Sequence, residues 1–210
     1  NPTQTQPKPK PKPEPEPEPE PSSCNQARFL PPGFIRGVAA PMESPLPAEL
    51  AAGAAEPMLF FGSVDDASGR QACWAELKAE LGERLQSTFG AWNVSALGAL
   101  LLRHDLFLNI HKGCERGHAP VTFRAAWLLS AGKLVVSEHA DVRDEAAYAG
   151  LIVFASQPEI GAAYAALRAR PRAALKHEVF AAYQRRFAPL ALFEAAGVYR
   201  DFNLTTTPLR

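Results

Sequence analysis

The chain has 210 residues, which suffices for one ordinary domain or for one domain with a tail. Its 22 basic residues balance its 22 acidic residues, so the charge gives no reason to expect nucleic acid or an anionic membrane surface as a partner. No run of about 18 apolar residues is present, and we therefore predict no membrane span.

The N-terminal segment, residues 1–27, is of low complexity. From Pro7 to Pro21 every second residue is proline, alternating first with lysine and then with glutamate. Proline donates no backbone hydrogen bond, so we predict a disordered stalk of solvated polyproline II. The alternation resembles the spacer of TonB proteins and repeats of plant and algal wall proteins. A flexible linker and a ligand for a proline-binding module both fit this composition.

The three cysteines, Cys24, Cys73 and Cys114, are an odd, widely spaced set that contains no CxxC pair. This spacing argues against a disulfide framework and against a zinc knuckle. We therefore expect three unpaired thiols.

Beyond the stalk, short apolar runs alternate with helical stretches, which is the pattern of βαβ units around a parallel sheet. We predict that residues 28–200 form a single α/β domain with a Rossmann-like, doubly wound parallel sheet. Residues 201–210 are predicted to be a C-terminal tail. The predicted strands cover residues 58–62, 84–89, 105–110, 134–137 and 151–154.

Helices are predicted between and after these strands. Ser68 is the predicted cap of the first helix, and Ser156 with Glu159 forms a capping box that opens a later one. Gly132 is the predicted C′ residue of the helix before the fourth strand. The predicted helices cover residues 68–81, 95–103, 121–130, 158–169 and 173–187.

Ligand-binding side chains are expected where the strands end, because open parallel sheets bind ligands at the carboxyl ends of their strands. Helix N-termini at that edge favour anions. The first strand is followed by neither a GxGxxG nor a Walker motif, so no dinucleotide or P-loop site of those types is predicted. The candidates are Gly62, Ser63, Asn109, His111, Arg124, Ser137 and Glu138.

These candidates have both functional and structural interpretations. His111 and Arg124 would contact a phosphate or diphosphate, or else be a loop histidine and a surface arginine. Glu138 would contact sugar or ribose hydroxyls, or else cap the next segment. Gly62 would allow a phosphate to approach, or else only permit a tight turn.

A metal site is not expected, although His104, His111 and His118 are spaced seven residues apart near Cys114 and Glu115. His104 precedes the third strand and His111 follows it, so the two lie at opposite ends of that strand. Metal ligands have to converge on one point, which this placement prevents.

The segment LNIH at residues 108–111, Arg124, and the segment LLSAGKLVVSE at residues 128–138 follow one another in the chain. Together they resemble the C-terminal, donor-binding domain of GT-B glycosyltransferases of group 1. Upstream, FLPPGF at residues 29–34 resembles the linker strand between the two domains of that fold. LFFGS at residues 59–63 resembles the strand that opens its C-terminal half, so the likeness covers residues 28–197.

The resemblance implies transfer of a sugar from a nucleotide-sugar donor without a cofactor or a chelated metal. This half of the fold would hold the nucleotide and the diphosphate. The positions that match the family motif are Gly62, Asn109, His111, Arg124 and Glu138.

The chain also departs from the family. Trp127 stands where many members have the second of two glutamates, and Val121 stands where an acidic residue can precede the arginine. The usual ribose recognition is therefore not expected. The acceptor domain, roughly 150 residues or more, has the Pro-rich segment in its place, so we expect this half alone to bind a donor weakly at most and to catalyse no turnover.

Two other functions remain open. One is a non-catalytic binding or wall-associated module, in which a degenerate sugar-nucleotide fold is displayed on the stalk. The other is a TonB-like envelope protein, which depends on the alternating Pro-rich segment alone, and the βα alternation downstream counts against it.

Overall fold

The computed structural model describes residue 33 and residues 57–90, 94–112 and 123–197. The predicted stalk and the predicted C-terminal tail lie outside these residues. The strands are β1 (Met58–Phe61), β2 (Leu85–Thr88), β3 (Leu106–Asn109), β4 (Leu134–Glu138) and β5 (Ile152–Ala155). The helices are α1 (Gln71–Leu81), α2 (Val94–Arg103), α3 (Phe123–Ser130), α4 (Val142–Ala147), α5 (Ile160–Ala169), α6 (Arg172–Phe187) and α7 (Pro189–Ala195).

The five strands form one parallel sheet in the order β2-β1-β3-β4-β5. The chain winds outward from β1 to β2 and then in the opposite direction from β3 to β5. Right-handed crossovers therefore place α1 on one face of the sheet and α3 on the other. Helix α1 contacts α5, and α3 contacts α6, so both faces are covered. The predicted Rossmann-like, doubly wound α/β fold is confirmed.

Strands β1, β3 and β4 are largely apolar because helices cover both faces of the sheet, whereas the edge strand β2 is mostly polar. All side chains of β1, β3 and β4 are buried, including the polar ones at the ends of β3 and β4. Each predicted strand is present within two residues of its expected ends. The sequence analysis missed α4 and α7, because both are short and carry apolar side chains that remain exposed, such as Val142 and Leu190.

The predicted start of α1 at Ser68 is wrong. Asp65 is the capping residue, because its carboxylate accepts from the backbone N of Ser68 at 2.9 Å. That cap belongs to a separate 3-10 turn over residues 66–68, which ends at Gly69 with a φ of 66°. Only Gly adopts this left-handed conformation without strain, and α1 begins beyond it at Gln71.

The two other predicted helix boundaries are confirmed. Gly132 has a φ of 65° and follows α3, where the backbone N of Lys133 donates to the carbonyl of Leu128 at 2.9 Å. This geometry ends the helix and turns the chain into β4. Ser156 and Glu159 form the expected capping box before α5.

Helix α6 lies along the edge of the sheet where the strands begin. Lys176, in its first half, donates to Asp105 directly before β3 at 2.7 Å. Near its other end, Tyr183 and Phe187 stack on Tyr148, which precedes β5; the centroids of Phe187 and Tyr148 are 4.7 Å apart. Helix α6 therefore spans this edge from β3 to β5, opposite the edge that carries the candidate site.

We expect Tyr148→Phe to raise the free energy of unfolding by about 1 kcal/mol. Tyr148 is fully buried, and among the described residues its hydroxyl has no hydrogen-bond partner. Burial raises the pKa of this hydroxyl, which therefore stays protonated, as a donor without an acceptor in the described part of the chain. Urea unfolding measures the change. Tyr183→Phe is the matched control, since it removes a hydrogen bond to the carbonyl of Gly33, and equal losses for both variants would contradict the expectation.

Cys73 is disulfide-bonded, so the expectation of three unpaired thiols is wrong. Its partner lies outside the described residues. Cys73 is on the buried face of α1, with Leu77 and Leu81. The spacing of cysteines in a sequence does not determine which of them meet, because that depends on how the helices and loops pack.

No helix among the described residues has both the length and the apolar character needed to cross a membrane.

Candidate functional site

The predicted site residues come together where the winding of the sheet reverses. Strands β1 and β3 are neighbours, with Leu59 opposite Phe107, although β2 lies between them in sequence. Gly62 follows β1, and Asn109 is the last residue of β3. The carboxyl ends of these two strands form the switch point of the fold, which is where doubly wound sheets bind their ligands.

Arg124 in α3 lies at this switch point. Its guanidinium carbon is 4.9 Å from the centre of the Phe60 ring and 5.1 Å from that of Phe61. Its Nη1 donates to the side-chain oxygen of Asn109 at 3.3 Å. The aromatic rings and the amide together hold the guanidinium in a fixed place.

Gly62 provides the space that this arrangement needs. A Cβ atom at this position would lie 2.9 Å from the Phe60 ring and 3.2 Å from Nη2 of Arg124. Any other residue would therefore displace the ring or the guanidinium. Gly62 is therefore needed because the Phe60 ring and the guanidinium of Arg124 lie close to its backbone. The tight turn expected from the sequence is a different reason for a glycine.

Arg70 is a site residue that the sequence analysis missed. Its Nε donates to the carbonyl of Ile110 and its Nη1 to the carbonyl of Ser63, both at 3.2 Å. Its guanidinium carbon also lies 5.5 Å from the centre of the Phe60 ring. Arg70 thus joins the loop after β1 to the loop after β3. The one available signal was that Arg70 is the only basic residue between β1 and α1.

Ser63 shapes the loop after β1. Its carbonyl accepts from Arg70, and its hydroxyl accepts from the backbone N of Asp65 at 3.3 Å. Hydrogen bonds from Ser63 and Ser68 hold the pKa of Asp65 below its ordinary value. Ser63 is therefore a loop-forming residue at the rim of the site.

The two arginines create a local excess of positive charge around Arg124. Burial, and next the charge of Arg70, lower the pKa of Arg124 to about 10, which leaves it charged at neutral pH. Within the described part of the chain no carboxylate is close enough to form an ion pair with Arg124. Its Nε is buried and has no hydrogen-bond partner there.

Arg70 differs from Arg124 in having acidic neighbours. Burial lowers the pKa of Arg70, while the charges of Glu138 and Asp65 partly restore it. Among the described residues, acidic groups therefore partly balance the charge of Arg70 but not the charge of Arg124.

Glu138 and His111 connect the loop after β3 to the end of β4. The backbone N of His111 donates to Oε2 of Glu138 at 2.7 Å. His111 lies in the loop after β3 but is only 3% exposed, and Oε2 of Glu138 bonds to that loop. Among the described residues this buried ring's Nε2 has no hydrogen-bond partner.

Asn109 and Ser137 lie behind Arg124 and are fully buried. The side-chain nitrogen of Asn109 donates to the hydroxyl of Ser137 at 2.9 Å. The hydroxyl of Ser137 donates to the carbonyl of Glu138 at 2.8 Å. The structure thus brings both residues to the site, and their polar atoms bond to protein groups.

His104 and His111 do not converge. His104 lies at the start of the sheet, with its Nδ1 3.3 Å from the carbonyl of Pro57, whereas His111 is at the far end of β3. His118 is outside the described residues. In the ranges that the structure describes, no three side chains of His, Cys, Asp or Glu form a group that could hold a metal ion.

No model of a known protein family matches the chain. No curated protein matches it in sequence either.

Proposed function

We propose that this domain binds the diphosphate of a nucleotide-sugar donor at the switch point, as the donor-binding half of a glycosyltransferase. The observation that carries the proposal is Arg124, a partly buried cation with a second arginine beside it and no carboxylate partner among the described residues. A buried charge that lacks a counter-ion is costly, and an anionic ligand removes that cost.

A diphosphate fits the donors that remain available. Nε of Arg124 and Nε2 of His111 are buried polar atoms without partners in the described part of the chain. Buried polar atoms are normally hydrogen-bonded, so a ligand oxygen is a suitable partner for both. The guanidinium fork is also the side-chain group best matched to phosphate oxygens.

The proposal assigns different tasks to the other residues. Arg70 holds the two loops together and adds positive charge, Gly62 leaves space for the guanidinium, and Glu138 fixes the backbone at His111. Since one carboxylate oxygen of Glu138 is engaged in this way, ribose binding is not assigned to that oxygen. Arg124 supplies the positive charge that faces the diphosphate, and Arg70 adds a second charge that Glu138 and Asp65 partly balance.

The test is calorimetric titration of the chain with UDP, GDP, their sugar conjugates and the bare nucleosides. We expect at least one diphosphate to bind, and we expect Arg124→Ala to weaken that binding about tenfold or more. Binding of the nucleoside without phosphates should change little. If Arg124→Ala weakens the binding of diphosphates but not of the bare nucleosides, Arg124 contacts the diphosphate.

Arg170→Ala is the matched control, because Arg170 is exposed and lies at the C-terminal end of α5, where the chain has returned from the carboxyl edge of the sheet. It should leave all affinities unchanged. Folding of each variant is checked by circular dichroism. No binding of any nucleotide by the folded wild-type chain would contradict the proposal and favour the stalk-tethered, non-catalytic module.

A further inference from the structure

A buried chain of hydrogen bonds leads from the switch point into the sheet. Arg124 donates to Asn109, Asn109 donates to Ser137, and Ser137 donates to the carbonyl of Glu138, over distances of 3.3, 2.9 and 2.8 Å. We call these groups the Asn109 network. It crosses α3, β3 and β4, which are three elements that meet only through tertiary packing.

The donor-to-acceptor direction of the Asn109 network is fixed by its two ends. A guanidinium only donates, and a backbone carbonyl only accepts. Because the hydroxyl hydrogen of Ser137 is directed to the carbonyl of Glu138, the oxygen of Ser137 accepts from the amide nitrogen of Asn109. The amide oxygen of Asn109 is thereby turned toward Arg124.

We infer that Asn109 and Ser137 are positioning residues that orient the guanidinium of Arg124 and do not themselves contact the ligand. Both are buried, at 2% and 0% exposure, and their polar atoms already bond to protein groups. Their positions at or next to the carboxyl ends of β3 and β4 had suggested direct donor binding. The inference concerns the protein without ligand, and only its effect on affinity rests on the proposed function.

Loss of the Ser137 hydroxyl should release this orientation. In Ser137→Ala the amide of Asn109 has no acceptor for its nitrogen and can rotate by 180°. The rotated amide presents hydrogens to the guanidinium, which has only hydrogens to offer. Arg124 then loses its fixed partner while its charge and the two aromatic rings remain.

The first measurement is made without ligand. In a ¹⁵N-labelled protein we expect one slowly exchanging Nε–Hε signal from Arg124, because this atom is buried, and its absence in Arg124→Lys assigns it. Ser137→Ala should broaden that signal or make its exchange with water at least tenfold faster. An unchanged signal in a folded Ser137→Ala protein would overturn the inference.

Asn109→Asp separates positioning from ligand binding. The carboxylate accepts from Arg124 in either orientation, so the Nε–Hε signal should persist. The same carboxylate neutralises the cation, so affinity for inorganic pyrophosphate and for UDP should fall at least tenfold. If Asn109 only stabilised the fold, the Nε–Hε signal, the affinity and the thermal stability would all decrease together in this variant. That result would contradict the inference.

The two proposals can fail independently. If wild-type protein binds neither pyrophosphate nor UDP, the proposed function fails, while the signal of Arg124 in Ser137→Ala still decides the positioning inference. If pyrophosphate binds and Asn109→Asp binds it as tightly as wild type, the positioning inference fails and the proposed function stands.

Discussion

Reduction of the Cys73 disulfide is expected to lower the free energy of unfolding by about 4 kcal/mol. A disulfide restricts the unfolded chain, and the effect grows only slowly with the length of the closed loop. The partner is Cys24 or Cys114, which are 73 − 24 = 49 and 114 − 73 = 41 residues away. Loops of these two lengths give nearly the same loss in the free energy of unfolding, so the expectation does not depend on which of the two cysteines is bonded to Cys73.

Thermal unfolding with and without dithiothreitol measures this effect. A loss of about 4 kcal/mol corresponds to a decrease of roughly 8 to 16 °C in the midpoint for a domain of this size. Cys73→Ser is the control, because it should have the lower midpoint already and respond no further to reductant. Peptide mapping without reduction identifies the partner.

Thiol counting provides the outcome that would contradict the disulfide. Three cysteines with one disulfide leave 3 − 2 = 1 thiol that reacts in denaturant without reductant. Labelling of all three in freshly purified wild-type protein, with no effect of reductant on the midpoint, would show that the bond does not form.

Asp105→Asn is expected to lower the free energy of unfolding by about 3 kcal/mol. Oδ1 of Asp105 accepts from Lys133 at 3.0 Å and from Lys176 at 2.7 Å. The lysine side chains are only 6% and 10% exposed, so the substitution leaves two buried ammonium groups without their carboxylate. Because Asp105 itself is one third exposed, the expected loss is at the lower end of the range for buried pairs.

The lowered pKa of Asp105 predicts a loss of stability in acid. Burial raises the pKa of Asp105, but the charges of Lys133 and Lys176 and their hydrogen bonds outweigh burial and hold it below its ordinary value. A folded pKa below the unfolded one means that the stabilisation is complete above the unfolded pKa, near 3.9. It is lost as the pH falls through the folded value. Asp105→Asn should remove this part of the acid dependence.

Urea unfolding between pH 7 and pH 3 tests both expectations. Glu83→Gln is the matched control, since it removes the charge from an ion pair with Lys78 in which Glu83 is 94% exposed. Exposed pairs contribute about 0 to 1 kcal/mol, so this variant should resemble wild type. Similar losses for Asp105→Asn and Glu83→Gln would show that the two buried lysines do not depend on Asp105.

The candidate site was predictable to the extent that it follows from strand ends. Asn109, His111 and Glu138 were found because each ends a buried strand or closely follows one, and parallel strands end at one edge. Their individual tasks were not predictable. Whether Asn109 faces a ligand or supports Arg124 depends on Ser137, which is 28 residues away in sequence and adjacent only across the sheet.

Arg70 is a second site residue whose role depends on residues that are distant in the sequence. It lies eight residues beyond Gly62 in a polar loop and belongs to no recognised motif, so its basic character was the one local signal. Its hydrogen bond to the carbonyl of Ile110 spans 40 residues. Such a contact exists only because the chain returns from β2 to place β3 beside β1.

The sequence by itself determined the local elements, because apolar runs, glycines and capping residues act over a few neighbouring residues. It therefore predicted five strands, the end of α3 at Gly132, and the capping box at Ser156 and Glu159. Only the tertiary structure decided the strand order, the disulfide at Cys73, and the pairing of two lysines with Asp105. Those features join groups that are far apart along the chain, and long-range packing brings them together.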